Sequence, residues 1–367
     1  MESTDVFVIG GGPAGLAAAI AARQQGLRVM VADGAHPPID KPCGEGLMPE
    51  GMSALDRLGI AFRPKECHSL RGVRFLASGL TADADFPARC GLGVRRTTLH
   101  RIMTERAQSL GIELLWRTPV TGISEESVGL GNRRVDAQWI VGADGGNSRV
   151  RRWANLEEYS RKDFRYAFRR HYRIAPWSDR MEIYWGQRCQ IYVAAVSDEQ
   201  TCVGLMSHDS KLRLDEALRS FPELGARLHS AEAASAERGE LSVTRKLKRV
   251  CRGNVALIGD ASGAVDAVTG EGLSLAFGQA ILLADCIRKA DLGRYQKEHR
   301  RLALRPLLMA KLILMLDGRP RLQRRTLQVF RRRPEIFRRL VALHVGTLSP
   351  LHLALDGLTL GWGLLTA

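Results

Sequence analysis

The hydrophobic positions near the N-terminus form two short uninterrupted runs on either side of an alanine-rich stretch. Residues 5–9 (DVFVI) and 28–32 (RVMVA) are typical of fully buried strands, and residues 16–25 predict the helix between them. Gly26 stands where that helix should stop. A strand, a helix and a strand within about 30 residues predict a βαβ unit, and therefore a parallel sheet.

The middle of the chain follows a different pattern. Residues 73–86 alternate apolar and polar positions around Ser78-Gly79, which predicts an antiparallel hairpin, and residues 165–206 predict further alternating strands. Buried strands return at 139–142 and 254–258, and helices are predicted at 97–111, 211–238 and 273–288. This order favours an α/β fold in which separate pieces of chain build a nucleotide-binding domain around an inserted antiparallel sheet.

The first motif lies in the turn after the first strand. Gly10-x-Gly12-x-x-Gly15 opens the predicted helix, and Asp33 follows 23 residues after Gly10 at the end of the second strand. Glycines in this spacing permit a tight turn, a close approach of the backbone to a pyrophosphate, and close packing of helix on strand. The acid is placed to accept hydrogen bonds from a ribose. The motif therefore predicts a dinucleotide on a helix N-terminus.

Two later motifs repeat the theme of a buried strand that delivers an acid beside glycine. The first runs from Trp139 through Asp144 and Gly145 to Arg151, and the second pairs Gly259-Asp260 with the helix opening Thr269-Gly-Glu-Gly-Leu273. NAD alone would not need these additional sites. The longer FAD molecule would need them, because its ribityl chain and isoalloxazine extend far beyond the ADP half. We therefore predict FAD as the cofactor.

The expected fold is α/β, with a discontinuous Rossmann-like FAD-binding domain, an inserted mainly antiparallel β substrate domain and a helical C-terminal region. The FAD-binding domain should comprise residues 1–72, 94–160 and 241–292, and the substrate domain residues 73–93 and 161–240. Residues 293–367 form the basic helical C-terminal region.

These three motifs resemble the flavoprotein superfamily of para-hydroxybenzoate hydroxylase and the geranylgeranyl reductases. The resemblance implies that Arg96, in Arg96-x-x-Leu99, lies along the diphosphate and ribityl region, and that the backbone of Val120 contacts the adenine. The full set of residues that it implies around FAD is Gly10, Gly12, Pro13, Ala14, Gly15, Asp33, Lys41, Gly44, Arg96, Val120, Asp144, Gly145, Gly259, Asp260, Gly270, Glu271, Gly272 and Leu273.

Within that superfamily, the loop Lys41-Pro-Cys43-Gly-Glu45-Gly-Leu47 resembles the cysteine-containing loop of the geranylgeranyl reductases. The resemblance implies that Cys43 lies beside the isoalloxazine, where it protonates or packs against an alkene carbon; the alternative is a small buried hydrophobe. We interpret Glu45 as a surface acid rather than a proton relay, and Glu271 as a solvent-facing acid at a helix start. Strand aromatics such as Tyr184, Trp185 and Tyr192 are expected to pack in a core, or alternatively to line a substrate pocket.

The net charge of +15 is concentrated near the C-terminus of this 367-residue chain. Residues 288–339 carry 17 Lys/Arg against 4 Asp/Glu. Residues 334–344 predict a helix with apolar positions on one face and arginines near the other. Such a helix can lie on a membrane, or it can be a solvated cap over the FAD-binding domain. No nucleic-acid module is recognisable, so nucleic-acid binding is not expected.

The remaining composition limits location and cofactors. The seven cysteines include no C-x-x-C, and the histidines lack metal-ligand spacing, so no metal site is predicted. The sequence has no recognisable secretory signal and no run of about 18 apolar residues. We expect a cytoplasmic protein, either free or peripheral on the inner face of the membrane through residues 293–367.

The resemblance implies an FAD-dependent oxidoreductase acting on a hydrophobic small molecule. The favoured reaction is reduction of carbon–carbon double bonds in an isoprenoid- or polyketide-like substrate, with electrons from NAD(P)H or a protein donor. The alternative is a monooxygenase that hydroxylates an aromatic or unsaturated compound. The signature Trp-x-Trp-x-Ile-Pro of flavin halogenases is absent, which disfavours halogenation. A flavin-carrying binding protein without turnover is the third possibility.

Overall fold

A computed structural model describes residues 2–348, except for the side chains of residues 161–163. The first part of the chain forms β1 (Glu2–Ile9), α1 (Pro13–Gln24), β2 (Val29–Ala32), β3 (Gly46–Leu47), α2 (Pro49–Leu58), β4 (His68–Leu70), β5 (Gly72–Ala77), β6 (Leu80–Asp85), β7 (Gly91–Gly93), α3 (Arg96–Ser109), β8 (Glu113–Leu115), β9 (Gly122–Ile123), β10 (Ser127–Leu130), β11 (Arg133–Gly142) and α4 (Arg149–Trp153).

The second part begins with the long strand β12 and ends in four helices. It comprises β12 (Tyr159–Arg173), β13 (Arg180–Trp185), β14 (Cys189–Ala195), β15 (Gln200–Ser207), α5 (Leu214–Leu218), α6 (Pro222–Leu228), β16 (Glu232–Ala233), β17 (Arg238–Leu247), β18 (Cys251–Arg252), β19 (Val255–Leu257), β20 (Gly263–Ala264), α7 (Gly272–Arg288), α8 (Leu292–Leu314), α9 (Pro320–Arg332) and α10 (Pro334–His344). Residues 211–238, predicted as helical, hold only α5 and α6 as α-helix.

The first sheet has the order β18-β19-β11-β1-β2-β8, and its central pairings are parallel. The register places Ile9 opposite both Ala32 and Gly142, and Gly142 opposite Leu257. The carboxyl ends of four parallel strands therefore lie in one row. As a result, the loops that carry the three sequence motifs leave the sheet along the same edge.

Helix α1 packs closely because its sequence is almost entirely small and apolar. Its residues 15–22 are all buried. A Cβ atom added to Gly15 would lie 1.8 Å from the backbone oxygen of Gly10, and one added to Gly10 would lie 2.5 Å from the oxygen of Ala143. These two positions require glycine, because the turn and the neighbouring strand already occupy that space.

The second sheet has the order β20-β17-β12-β15-β14-β13-β5-β6 and is mainly antiparallel, with β13 and β5 as a parallel pair. The predicted hairpin at residues 73–86 is formed by β5 and β6. Strand β17 runs through residue 241, where the sequence suggested that the FAD-binding domain resumes. A small third sheet has the order β3-β7-β4.

The C-terminal helices divide between the two sheets. Helix α8 packs on α7, whereas α9 and α10 pack on β5 and β6 of the second sheet. Their buried side chains, among them Phe330, Ile336 and Phe337, share one apolar cluster with Val73 and Trp185. Helices α9 and α10 therefore cover the antiparallel sheet, and α10 also reaches the third motif through His344, whose Nε2 lies 3.0 Å from the Thr269 oxygen. Among the described residues, no helix combines the length and apolarity that a membrane span needs.

Candidate active site

One cavity of about 1110 Å³ begins at the motif-bearing edge of the first sheet and continues between the second sheet and the C-terminal helices. Asp33, Asp144 and Asp260 all border it. The other predicted cofactor and catalytic residues along its wall are Gly10, Gly12, Pro13, Ala14, Lys41, Cys43, Gly44, Arg96, Val120, Gly145, Gly259, Gly270, Gly272 and Leu273. Gly15 packs behind the first turn, and Glu271 lies behind the helix opening.

The first turn presents open space and free backbone donors to this cavity. Gly12 is the residue before α1, it provides no side-chain cap, and a Cβ added there would meet nothing within 4 Å. The Gly11 N–H donates to Asp33 Oδ2 (2.6 Å), and the Ala35 N–H donates to Asp33 Oδ1 (2.7 Å). The turn and the acid after β2 are thus fixed relative to each other before any ligand binds.

His100 on α3 supports the first turn, and sequence reasoning missed it. It is fully buried, and its Nε2–H donates to the Gly11 oxygen (2.9 Å). Burial lowers the pKa of His100, which keeps the ring neutral and leaves one nitrogen as the donor. Its position on a polar helix gave no signal, because the contact spans 89 residues.

Asp144 has one oxygen engaged and one free for a ligand. Its Oδ2 accepts hydrogen bonds from the N–H groups of Arg149 (2.6 Å) and Val150 (3.2 Å) at the start of α4. Its Oδ1 and the Nε of Arg96 are buried without a partner in the described part of the chain. A buried acceptor and a buried cationic donor on one cavity wall fit a ligand that carries hydroxyl and phosphate groups.

Lys41 links the cysteine-containing loop to the third motif. Its Nζ lies 3.2 Å from Asp260 and 2.7 Å from Glu240 on β17. Burial alone would lower the pKa of Lys41, but the two carboxylates outweigh it and hold the pKa above its ordinary value. The ammonium group therefore stays charged at the cavity wall.

Glu45 is not a surface acid, as the sequence suggested, but a buried one with 2% of its surface exposed. Its Oε1 accepts from the Arg96 N–H (2.9 Å) and from Arg169 Nη1 (3.2 Å), and its Oε2 lies 2.5 Å from His171 Nε2. The backbone of Glu45 adopts a left-handed φ of 57°. These bonds explain the burial and fix the loop that carries Cys43.

Sequence reasoning also missed Arg169 and His171, because β12 reads simply as an alternating strand. Arg169 bonds to Asp40 (2.9 Å) as well as to Glu45, and burial lowers the pKa of His171. Ligand atoms of Glu45, His171 and Cys202 lie within 4.8 Å of one another. The Arg169 guanidinium lies beside them, 3.2 Å from Glu45 Oε1 and 3.1 Å from His171 Nδ1.

Glu271 is likewise buried, with 3% of its surface exposed, which corrects the expectation of a solvent-facing acid. Burial raises its pKa to about 8. Its neighbours are Arg305 (3.4 Å) and His344 Nδ1 (3.5 Å), and His344 Nε2 lies 3.0 Å from the Thr269 oxygen. Burial also lowers the pKa of His344 to about 4. The helix-opening segment therefore rests on a neutral acid and a neutral imidazole near pH 7.

The far half of the cavity is apolar. Strands β5 and β13 provide Val73, Phe75, Met181, Ile183 and Trp185, and helices α8–α10 provide further aliphatic and aromatic side chains. Of the three strand aromatics noted in the sequence, Tyr184 packs in a separate core, whereas Trp185 and Tyr192 border the cavity. The Tyr192 hydroxyl donates a hydrogen bond to Gln190 Oε1 (2.7 Å), so that the face of the Tyr192 ring forms part of the cavity wall.

One cavity runs from the nucleotide-binding turn on the first sheet to an apolar chamber on the second sheet. This arrangement is typical of FAD-dependent oxidoreductases. Residues 3–297 match the FAD binding domain family, and the chain belongs to that family. The fold matches the crystal structure of a flavoprotein/dehydrogenase from Cytophaga hutchinsonii with a TM-score of 0.81, at 20% identity over 94% of this chain and 93% of that one.

Curated relatives carry both reductase and monooxygenase names. A menaquinone reductase from Mycobacterium tuberculosis is 26% identical over 320 residues, which cover 80% of this chain and 78% of that protein. Digeranylgeranylglycerophospholipid reductase 1 from Methanothermobacter thermautotrophicus is 27% identical and covers 74% of each chain. A 12-dehydrotetracycline 5-monooxygenase/anhydrotetracycline 6-monooxygenase from Streptomyces rimosus is 31% identical over 42% of this chain and 33% of that one.

Proposed function

We propose that this protein reduces carbon–carbon double bonds of a hydrophobic, isoprenoid- or polyketide-like substrate, with electrons from NAD(P)H or a reduced carrier protein. The observation that carries the proposal is the continuity of one cavity. Its first half is bordered by the nucleotide motifs and its second half by apolar side chains of β5, β13 and the C-terminal helices. A long apolar molecule can therefore bind in contact with the reactive end of the cofactor.

The breadth of the sequence similarity favours reduction. Most of the reductase-named relatives align over 74–81% of the chain and one aligns over 39%, whereas the monooxygenase-named relatives align over 42%. The longer alignments extend beyond the first motif into the parts that border the apolar half of the cavity.

The fixed turn at Gly10–Gly12, with Asp33, would hold the ADP half of FAD, and Arg96 would neutralise the diphosphate. The free oxygen of Asp144 and the carboxylate of Asp260 would accept hydrogen bonds from sugar hydroxyls. The backbone from Gly270 to Leu273 would face the pyrimidine edge with the N-terminus of α7. When bound and reduced by NAD(P)H or the carrier protein, FAD would supply a hydride equivalent to one alkene carbon, and the second carbon needs a proton from the protein or from water.

In this proposal the Cys43 thiol supplies that proton. It is half-buried, borders the cavity, and its Sγ accepts a weak hydrogen bond from the Glu45 N–H (3.4 Å). Glu45, Arg169 and His171 act as positioning residues, because their buried hydrogen bonds fix the position of the loop that carries Cys43. The Cys43 thiol gives its proton to the substrate carbon and regains one from solvent.

The decisive experiment is anaerobic turnover with reduced protein and candidate polyprenyl or polyketide substrates. We expect a product two mass units heavier than the substrate, formed without oxygen. Cys43→Ala should keep its FAD and lose at least about 100-fold in kcat. Cys90→Ala is the matched control, because Cys90 is exposed and lies away from the cavity wall.

The same experiment separates the alternative. A hydroxylated product that forms only with oxygen would assign the protein as a monooxygenase, the activity named for the Streptomyces relative. Normal turnover by Cys43→Ala would return that residue to a packing role. Failure of any reductant to bleach the bound flavin would indicate a flavin-carrying binding protein instead.

A further inference from the structure

Helix α9 presents a stripe of five arginines to solvent, with Gln328 on the same face between the first three and the last two. Its exposed arginines are Arg321, Arg324, Arg325, Arg331 and Arg332. At 100° per residue these five positions fall within a sector of about 120°. The opposite face buries Gln323, Thr326, Leu327 and Phe330, and the helix contains no acidic residue.

Basic residues outnumber acidic residues in the sequence around this stripe. Exposed basic side chains continue at Lys311, Arg319, Arg333 and Arg338, against only Asp317 and Glu335 between residues 311 and 339. Elsewhere, arginines such as Arg74 are paired with carboxylates. Within the described residues, no ion pair is found for Arg321, Arg324, Arg331 or Arg332. These four side chains are therefore available to an anionic partner.

The stripe adjoins the apolar end of the cavity. Leu316, Leu322 and Phe330 border the cavity from the segment that leads into α9 and from its inner face. Met315 borders the cavity too, yet 55% of its surface is exposed. The apolar chamber therefore reaches the protein surface at Met315, just after the end of α8 and shortly before the arginine stripe begins at Arg321.

We propose that the α9 stripe docks on an anionic phospholipid bilayer, with the mouth at Met315 turned toward the hydrocarbon. Phosphate headgroups would take the place of the missing carboxylates, and an apolar substrate would enter the cavity without crossing water. Near an anionic surface each basic residue raises the membrane partition coefficient about fivefold. The inference concerns the partner surface and does not depend on which reaction the flavin performs.

The test is sedimentation of the full-length FAD-loaded protein with large unilamellar vesicles. Vesicles of phosphatidylcholine alone should leave the protein in the supernatant, and vesicles with roughly 30% phosphatidylglycerol should carry it into the pellet. High salt should release the protein, because the Debye length falls from about 10 Å at 0.1 M to about 3 Å at 1 M.

The quadruple variant Arg321→Gln/Arg324→Gln/Arg331→Gln/Arg332→Gln should reduce partitioning by at least about 100-fold. The matched control replaces Arg57, Arg63, Arg134 and Arg249 by Gln, which removes the same charge from exposed sites on other elements. It should bind within about twofold of the parent protein, since distant charges are screened. Both variants must keep their FAD and their melting temperature.

Absence of pelleting with the anionic vesicles, or an equal loss in both variants, would overturn the proposal. Equally tight binding of a single-stranded oligonucleotide at the same salt, lost only in the stripe variant, would also overturn it and assign the stripe to nucleic acid. Because no turnover is measured, these outcomes are independent of the anaerobic test of the reductase reaction.

Discussion

At the scale of single residues, the buried acid Glu271 makes stability depend on pH. Its pKa of about 8 in the folded protein lies above the ordinary 4.5, so folding is favoured while it is protonated and loses that contribution as pH rises toward 8. His344 acts in the opposite sense, since its depressed pKa of about 4 costs stability only as pH falls below 6.5. Between pH 6.5 and 8 the effect of Glu271 therefore stands alone.

We expect the free energy of unfolding of the parent protein to fall by about 2 kcal/mol from pH 6.5 to pH 8, and that of Glu271→Gln to stay nearly constant. Urea titrations at the two pH values, with FAD saturating, measure the difference. Glu223→Gln, at an exposed site on α6, is the control and should follow the parent protein. If the free energy of unfolding of Glu271→Gln falls with pH as much as that of the parent protein, Glu271 does not titrate in this range, because Arg305 keeps the acid ionised.

The glycines of the first turn allow folding and cofactor binding to be separated. Gly12 faces open space, so Gly12→Val should fold with little loss of stability but should not turn yellow. Gly15→Ala should destabilise the apoprotein itself, because its Cβ would lie 1.8 Å from the Gly10 oxygen. Gly278→Ala on α7, where a Cβ meets nothing, should keep FAD and gain about 0.5–1 kcal/mol. Flavin absorbance and apoprotein melting temperatures distinguish the three; a yellow Gly12→Val protein would refute the site.

Residue-level roles were predictable from sequence where the motif is local and unpredictable where it depends on distant partners. The turn at Gly10–Gly15 and the acid Asp33 lie within one βαβ unit, so their proximity follows from the pattern. Glu45 and Glu271 were misjudged, because acids in loops and at helix starts are usually solvated. Their burial depends on Arg169 and Arg305, which are 124 and 34 residues away.

At the scale of elements, one buried ion pair joins the loop before α7 to strand β12. Arg165 and Asp266 are each 1% exposed and are doubly hydrogen-bonded, and Asp266 also accepts from the Val268 N–H (2.9 Å). Asp317, 3.6 Å from Arg165, is a weaker second partner. The pair ties the loop between the two parts of the third motif to the sheet that borders the apolar chamber.

Asp266→Asn should cost about 3–5 kcal/mol, because it leaves the Arg165 charge buried with an inadequate partner. Asp179→Asn, which weakens half-exposed contacts to Arg71 and Arg180, should cost less than about 1 kcal/mol. Denaturant titrations of both variants provide the comparison. Equal losses would mean that Gln190 and Asp317 already satisfy Arg165.

The sequence predicted which segments form helices and which form strands, but not which of these elements pack together. Buried runs and alternating runs distinguished the mainly parallel sheet from the mainly antiparallel one, since each pattern reflects which faces are covered, but they did not predict the parallel pairing of β5 with β13. The cover provided by α9 and α10 was not foreseen. The amphipathic pattern of α10 predicts that one face of the helix is buried. It does not predict which sheet Ile336 and Phe337 pack against.

At the scale of the whole molecule, the C-terminal helices line the cavity on their inner face and form part of the protein surface on their outer face. Phe337 is 2% exposed, stacks on Phe330 with ring centroids 4.5 Å apart, and lies 5.3 Å from Phe75 on the second sheet. Truncation of these helices would thus expose the sheet and would not report on the surface alone. A point substitution keeps the architecture and tests the same coupling.

Phe337→Ala should cost about 3–5 kcal/mol in unfolding free energy, and amide exchange should rise in β5 and β6 more than in β1 and β11. Cofactor binding should persist, because the nucleotide motifs lie on the first sheet. Leu304→Ala, at a position 62% exposed on α8, is the control and should leave exchange in both sheets unchanged. Uniform exchange across the molecule in Phe337→Ala would mean that the two sheets unfold as one unit; loss of FAD before loss of β5 and β6 would place the weak point at the nucleotide motifs instead.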